Sequence, residues 1–397
     1  SEWAATSQYN SLSRSLHLRS RCGDQNAFKD LLDLSSVCVL SRGYLCIVLL
    51  TDDYLCDHLS LSLPGSHIIP SEEYLEEVGR GLQSMESALD ADGLFVLGFC
   101  CSRGISLRRN DMEAVRYYQL AASAGHSIAQ CNLGTCYYSG LGVAADPLEA
   151  VRLYQLSSDQ NNPIAQYNLA MCYQYGRGVE LDEVKAFSLY AQSASSGYAC
   201  AQHAVGMCYE NSTGVDENIE EAARQYSLAA KQGHALAQHT MGVCYEYGDG
   251  VPKDLEKAVQ NYILSAKQGY PVAQYNAGEC YEYGKGVQKD IYEAVRYYSL
   301  AADQGHCKAQ CMMGWCYEFG QGISKNLSAA VSHYKAAAEQ GYSLAQCNLG
   351  VCYEEGNGVN KNVEEAMQLY TSASEQGDKR AACKLKSMQE KQLNTVS

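Results

Sequence analysis

The sequence predicts an all-α chain built as an array of helix–loop–helix units. Three observations carry that expectation. The pair Ala-Gln stands at 129, 165, 201, 237, 273, 309 and 345, each 36 residues after the last. Glycine pairs recur in one phase of that period, at Gly140 and Gly142 and again at Gly284 and Gly286. Ala and Tyr recur four residues apart in another phase, which places them on one helical face. A fixed period of this length marks a repeat architecture, in which a unit buries its apolar face only against its neighbours.

Each unit reads as helix A, loop, helix B, loop. Helix A is expected to begin near Ala129 in the first clear copy, and the glycines of "SGLGV" let the chain stop and reverse. Val143, Val179, Val215, Val251, Val287, Ile323 and Val359 follow those glycines and are expected to tuck the loop into the core. Next comes Asn110, Asp146, Asp182, Asn218, Asp254, Asp290, Asn326 or Asn362, side chains that satisfy free N–H groups at a helix start. Glu113, Glu149, Glu221, Glu293 and Glu365, three residues on, resemble the acidic half of a capping box. Helix B then carries pairs such as Ala258 with Tyr262 and Ala294 with Tyr298, the small residue admitting a neighbouring helix and the ring filling the space beside it. It ends at Gly125 and its counterparts, with Asn161 in the second unit, the other residue type that readily turns left-handed.

Eight such units span residues 93–380, and residues 381–397 form a closing helix and tail. Residues 70–92, opening with Pro70 and the capping Ser71, occupy the place of a preceding helix B and are expected to cap the array. Residues 1–69 are left without an assigned fold. The chain starts at Ser1, as a fragment or a processed product would, and Arg14, Arg19 and Arg21 with Glu2 as the sole early acid match either a disordered tail or a mitochondrial presequence.

The wording "A-x-x-x-x-G-x-x-Y-x-x-G-x-G-V-x-x-D/N-x-x-x-A-x-x-x-Y-x-x-A-A-x-x-G" resembles the Sel1-like repeat, a relative of the tetratricopeptide repeat. The resemblance covers about three quarters of the chain. It implies an α/α solenoid, a superhelical array with A helices on the concave side and B helices on the convex side, acting as a non-enzymatic adaptor or scaffold for other proteins. The segment "AVRYYQLAASAGHSIAQCNLG" is also similar to the death ligand signal enhancer branch of that family, which implies a mitochondrial stress-signalling adaptor as the alternative.

The remaining residue types narrow the function. With 45 acidic and 30 basic residues the net charge is −15, a surface that repels nucleic acid. No apolar run reaches the roughly 18 residues of a bilayer span, the longest being "YLCIVLL" from Tyr44 to Leu50. Of nineteen cysteines, Cys100, Cys136, Cys172, Cys208, Cys244, Cys280, Cys316 and Cys352 share one phase of helix A. Neighbouring solenoid helices lie about 8–10 Å apart, too far for disulfides between in-phase residues. These thiols read as small hydrophobes, which points to a reducing, cytoplasmic setting. Cys307, Cys311 and His306 are the nearest approach to a metal site, yet no second pair faces them; no metal and no cofactor are expected. The histidines follow repeat phases, His126, His234 and His306 alternating with Tyr198, Tyr270 and Tyr342, so no catalytic base and no enzyme activity are expected.

The candidate partner-binding stripe is Glu210, Glu246, Glu282, Glu318 and Glu354, one per unit after "CY", flanked by Tyr247, Tyr283 and Phe319. An acid near a helix C-terminus costs about 0.3–1 kcal/mol against the dipole. Its expected use is to hold a basic or amide-rich protein segment; the competing reading is a solvated glutamate, or one bonded to the next unit's loop.

Overall fold

The computed structural model describes residues 89–104 and 107–396, with side chains as far as residue 390. The expectations for residues 1–69 and for most of the 70–92 cap lie outside the described residues. Among the described residues there are seventeen helices and no strand. They form an all-α solenoid in two compact units. The first unit holds α1 (Ala91–Arg103), α2 (Asp111–Ser123), α3 (Ser127–Ser139), α4 (Pro147–Ser158), α5 (Pro163–Tyr175), α6 (Glu183–Ser195) and α7 (Ala199–Asn211), the last turn of α7 grouping with the second unit. The second holds α8 (Ile219–Lys231), α9 (Ala235–Tyr247), α10 (Leu255–Lys267), α11 (Pro271–Tyr283), α12 (Ile291–Asp303), α13 (Cys307–Phe319), α14 (Leu327–Glu339), α15 (Ser343–Glu355), α16 (Val363–Glu375) and α17 (Lys379–Val396).

Helix A starts two residues earlier than expected. In α3 the cap is His126, whose Nδ1 accepts the Ala129 amide proton at 3.0 Å. His234 and His306 do the same for Ala237 and Ala309. The tyrosines at this position make no side-chain cap bond. The histidines are therefore helix caps as well as packed rings: His126 stacks on Phe95 at 4.7 Å and His306 lies 5.1 Å from Tyr275.

Helix B is capped as expected, Asn110 accepting from the Glu113 amide and Asp290 from those of Tyr292 and Glu293. The capping box is only half formed. The cap residue's own N–H is taken by a carbonyl of the preceding helix A, as Asp290 N donates to Tyr281 O at 2.9 Å. The glutamate thus has no N–H to reach back to, and Glu113, Glu149, Glu221 and Glu293 pair instead with the arginine three residues on.

Packing explains the recurring small residues. In α11 a Cβ added at Gly278 would stand 2.5 Å from the Tyr298 ring, so the bare glycine is what lets helix B's tyrosine lie flat on helix A. In the loop, Gly286 has φ +67° and a Cβ there would meet the Leu255 carbonyl oxygen at 2.0 Å, an approach closed to any other residue. Val143, Val287, Ile323 and Val359 are half-buried against the core, as expected.

The Ala-Gln pair marks the seam between repeats. Its alanine is fully buried, and its glutamine works in both directions. Gln274 donates to Ala266 O of the preceding helix B at 3.2 Å and accepts at 2.8 Å from Gln304, thirty residues on. Gln130, Gln238, Gln310 and Gln346 accept from Gln160, Gln268, Gln340 and Gln376 in the same way. In α5, Gln166 has no such donor, because Ser196 stands where the others have glutamine. Among the described residues Gln166 Oε1 is the one buried side-chain oxygen or nitrogen without a hydrogen bond.

Candidate protein-binding face

The five glutamates of the candidate stripe lie in the last turns of α7, α9, α11, α13 and α15. Each accepts a hydrogen bond from the helix B tyrosine sixteen residues on. Tyr226 donates to Glu210, Tyr262 to Glu246, Tyr298 to Glu282, Tyr334 to Glu318 and Tyr370 to Glu354, at 2.5–2.8 Å. Glu282 is only 7% exposed. Each glutamate thus has one oxygen turned to the helix B tyrosine: Glu282 is buried, Glu246, Glu318 and Glu354 are half-buried, and Glu210 stays exposed. Glu246 also takes Lys285 of the next repeat's loop at 3.1 Å, the loop contact that the competing reading held open. Glu354 takes Lys384 of α17 at 3.1 Å. In the first unit Tyr118 and Tyr190 meet the neutral Ser102 and Gln174 at the same spacing. Burial pushes these tyrosine hydroxyls up, and the adjacent carboxylate adds to it in the second unit, so the tyrosine holds its proton as donor.

The neighbours behave differently. Tyr247, Tyr283 and Phe319 are 67%, 59% and 55% exposed, one residue beyond each glutamate and a hundred degrees around the helix. They end a face that runs up each A helix. On α9 it continues through Val243 and Leu236, on α11 through Glu279 and Val272, and on α13 through Trp315 and Met312. Trp315 and Phe319 touch, their ring centres 5.7 Å apart. Successive A helices lie side by side here, because Asn276 bonds His239 at 3.1 Å and Asn348 reaches Cys311 Sγ at 3.7 Å. Glu279 is the acid set into this face, its carboxyl pushed above the ordinary value by burial, which outweighs the opposing hydrogen bond from the Tyr275 hydroxyl.

The fifteen cysteines among the described residues are all free. Burial pushes Cys131, Cys280 and Cys311 up to about 12, which suits apolar packing and leaves little thiolate. His306, with its Nδ1 spent on the α13 cap, is not turned toward Cys307 and Cys311 as a third ligand, and among the described residues no three His, Cys, Asp or Glu side chains converge. No helix among the described residues is long and apolar enough to cross a membrane.

Against known proteins, the Sel1 repeat model matches residues 91–126, 127–162, 163–198, 201–234, 235–270, 271–306, 307–342 and 343–378. The chain belongs to the Sel1 repeat family. Seven of the eight matches open on the first residue of a helix A, so the Sel1 unit and the structural unit coincide. Among solved structures, a protective antigen of uropathogenic Escherichia coli with this fold is 30% identical, with a TM-score of 0.69, covering 78% of this chain and 67% of its own. A Sel1 repeat protein from Oxalobacter formigenes is also 30% identical, with a TM-score of 0.57, covering 85% of this chain and 99% of its own. No curated protein matches the chain.

Two features of these Sel1 repeats escaped the sequence reading although spacings carried them. The sixteen-residue interval from Glu to Tyr and the thirty-residue interval from Gln to Gln are both constant over the second unit. Each could have been read as a hydrogen-bonded pair.

Proposed function

We propose that this Sel1 repeat protein is a non-enzymatic scaffold that holds other proteins on the exposed face of its A helices. One observation carries the reading: Tyr247, Tyr283 and Phe319 are large rings left open to solvent at the same position of three adjacent helices. Singly scattered apolar residues need no explanation, whereas a row of aromatic rings rimmed by polar groups is the composition of binding surfaces. The half-buried Val243, Met312 and Trp315 extend it, and Glu279 offers one carboxyl to a donor from the partner. The partner segment suited to this face carries aliphatic or aromatic side chains with a basic or amide group among them. Glu246, Glu282 and Glu318 support that face from behind, by fixing the tyrosines that hold each repeat together.

The test compares two triple variants of the full chain. Tyr247→Ser with Tyr283→Ser and Phe319→Ser keeps helicity and melting temperature while removing captured partners. Charge reversal at Glu246, Glu282 and Glu318 lowers the melting temperature, because it breaks three interior hydrogen bonds. Partners retained in full by the aromatic variant would end this reading.

A further inference from the structure

Where α15 meets α17, the charge of the surface changes sign. A cavity of about 490 Å³ opens there, within the size range of sites that take small ligands or a few side chains. Its apolar floor is Cys347, Val351 and Cys383, and its rim is Lys379, Arg380 and Lys384 with the Ser387 hydroxyl. No carboxylate lines it, in a chain whose net charge is −15. The nearby acids are already engaged: Glu354 by Tyr370 and Lys384, Glu355 by the Asn357 amide, and Asp378 by the Ala381 N–H that it caps. Lys379 and Arg380 are exposed and, among the described residues, make no ion pair within 4 Å. They are also the first two residues of α17, where the helix dipole disfavours cations and favours an anion. Fixed positive charge and an apolar floor meet at one opening.

We propose that this cavity receives an acidic segment of a partner protein, its carboxylates held by Lys379 and Arg380 and an aliphatic side chain seated on Val351, Cys347 and Cys383. Lys384, bound to Glu354, fixes the wall between the two helices. The site is separate from the aromatic face and opposite to it in preference, since it selects acidic residues. It therefore stands or falls independently of Tyr247, Tyr283 and Phe319.

Cys383 supplies a built-in reporter, being the one exposed cysteine among the described residues. The probe is a short acetylated, amidated peptide of alternating Glu and Leu, labelled for fluorescence anisotropy, with a Gln–Leu peptide and inorganic phosphate at matched ionic strength as comparisons. The Glu–Leu peptide is expected to bind and, at saturation, to slow alkylation of Cys383 by iodoacetamide about tenfold, with Cys307 unchanged as the internal reference. Lys379→Glu with Arg380→Glu is expected to weaken binding about tenfold or more and to abolish the protection. Circular dichroism checks that helicity is retained; Lys379→Gln with Arg380→Gln, which loses binding to a smaller extent, serves if the reversal frays α17. Absence of Glu–Leu binding, equal protection by the Gln–Leu peptide, equal protection by phosphate alone, or unchanged affinity in both variants would each overturn the proposal.

Discussion

Replacing Tyr298 by Phe removes one oxygen from the most enclosed of the tyrosine–glutamate pairs. Tyr298 is fully buried, Glu282 nearly so, and 2.6 Å separates their oxygens. The ring stays and fills the same volume against Gly278, so no cavity contributes. What is lost is a hydrogen bond to a charged group, about 1.5–3 kcal/mol, of which the larger part is the exposed demand of a carboxylate left buried without its donor. Glu282→Gln is the informative partner. A neutral amide oxygen accepts from the tyrosine just as Gln174 does from Tyr190 at 2.8 Å, so this change should cost under about 1 kcal/mol. Urea unfolding of the two single variants and the double variant, followed by circular dichroism, closes a double-mutant cycle. A coupling of about 1 kcal/mol or more is expected. A loss below roughly 0.5 kcal/mol for Tyr298→Phe, or no coupling in the cycle, would refute the claim that these glutamates serve the helix A–helix B interface.

Three further outcomes follow from particular contacts. Ser196→Gln supplies Gln166 with the donor that its counterparts have, and should raise stability by about 0.5–1.5 kcal/mol in urea titration. Gly286→Ala places a methyl group against the Leu255 carbonyl at positive φ, and should cost about 2–5 kcal/mol from the two effects together, read as a fall in melting temperature. Acid should weaken the fold through His234. Burial holds its pKa below the ordinary value, its neutral Nδ1 accepts the Ala237 amide, and so the unfolded chain binds the proton first; stability then falls as pH drops below about 6.5. His234→Asn keeps the cap, as Asn162 does in α5, and should flatten that part of the pH dependence in melting curves taken across the range.

The repeat frame and the alternation of helices were legible because they rest on local rules. Asp290 must cap whatever helix follows it, and Gly286 must turn wherever the chain reverses, so the pattern of such residues states the architecture without any tertiary knowledge. The family resemblance then supplied the packing of one hairpin against the next. The helix A start was misplaced by two residues because an imidazole cap has the same look, in sequence, as the tyrosine that alternates with it. The half-formed capping box has a similar origin: whether Glu293 reaches back depends on who already holds the Asp290 N–H, and Tyr281 O, nine residues upstream, holds it.

The candidate face divides along the same line. That Glu282 and Tyr283 recur together is a property of the chain, but a helix advances about a hundred degrees per residue, so adjacent letters look in different directions. Only the packing of α11 on α12 sends the glutamate to Tyr298 and leaves the tyrosine in water. By itself the order of amino acids determined where helices begin, turn and end, since those choices are made within a few residues. Which side chains were consumed between helices, and which were left for a partner, was decided by contacts sixteen, thirty and thirty-seven residues apart, and these exist once the repeats have stacked.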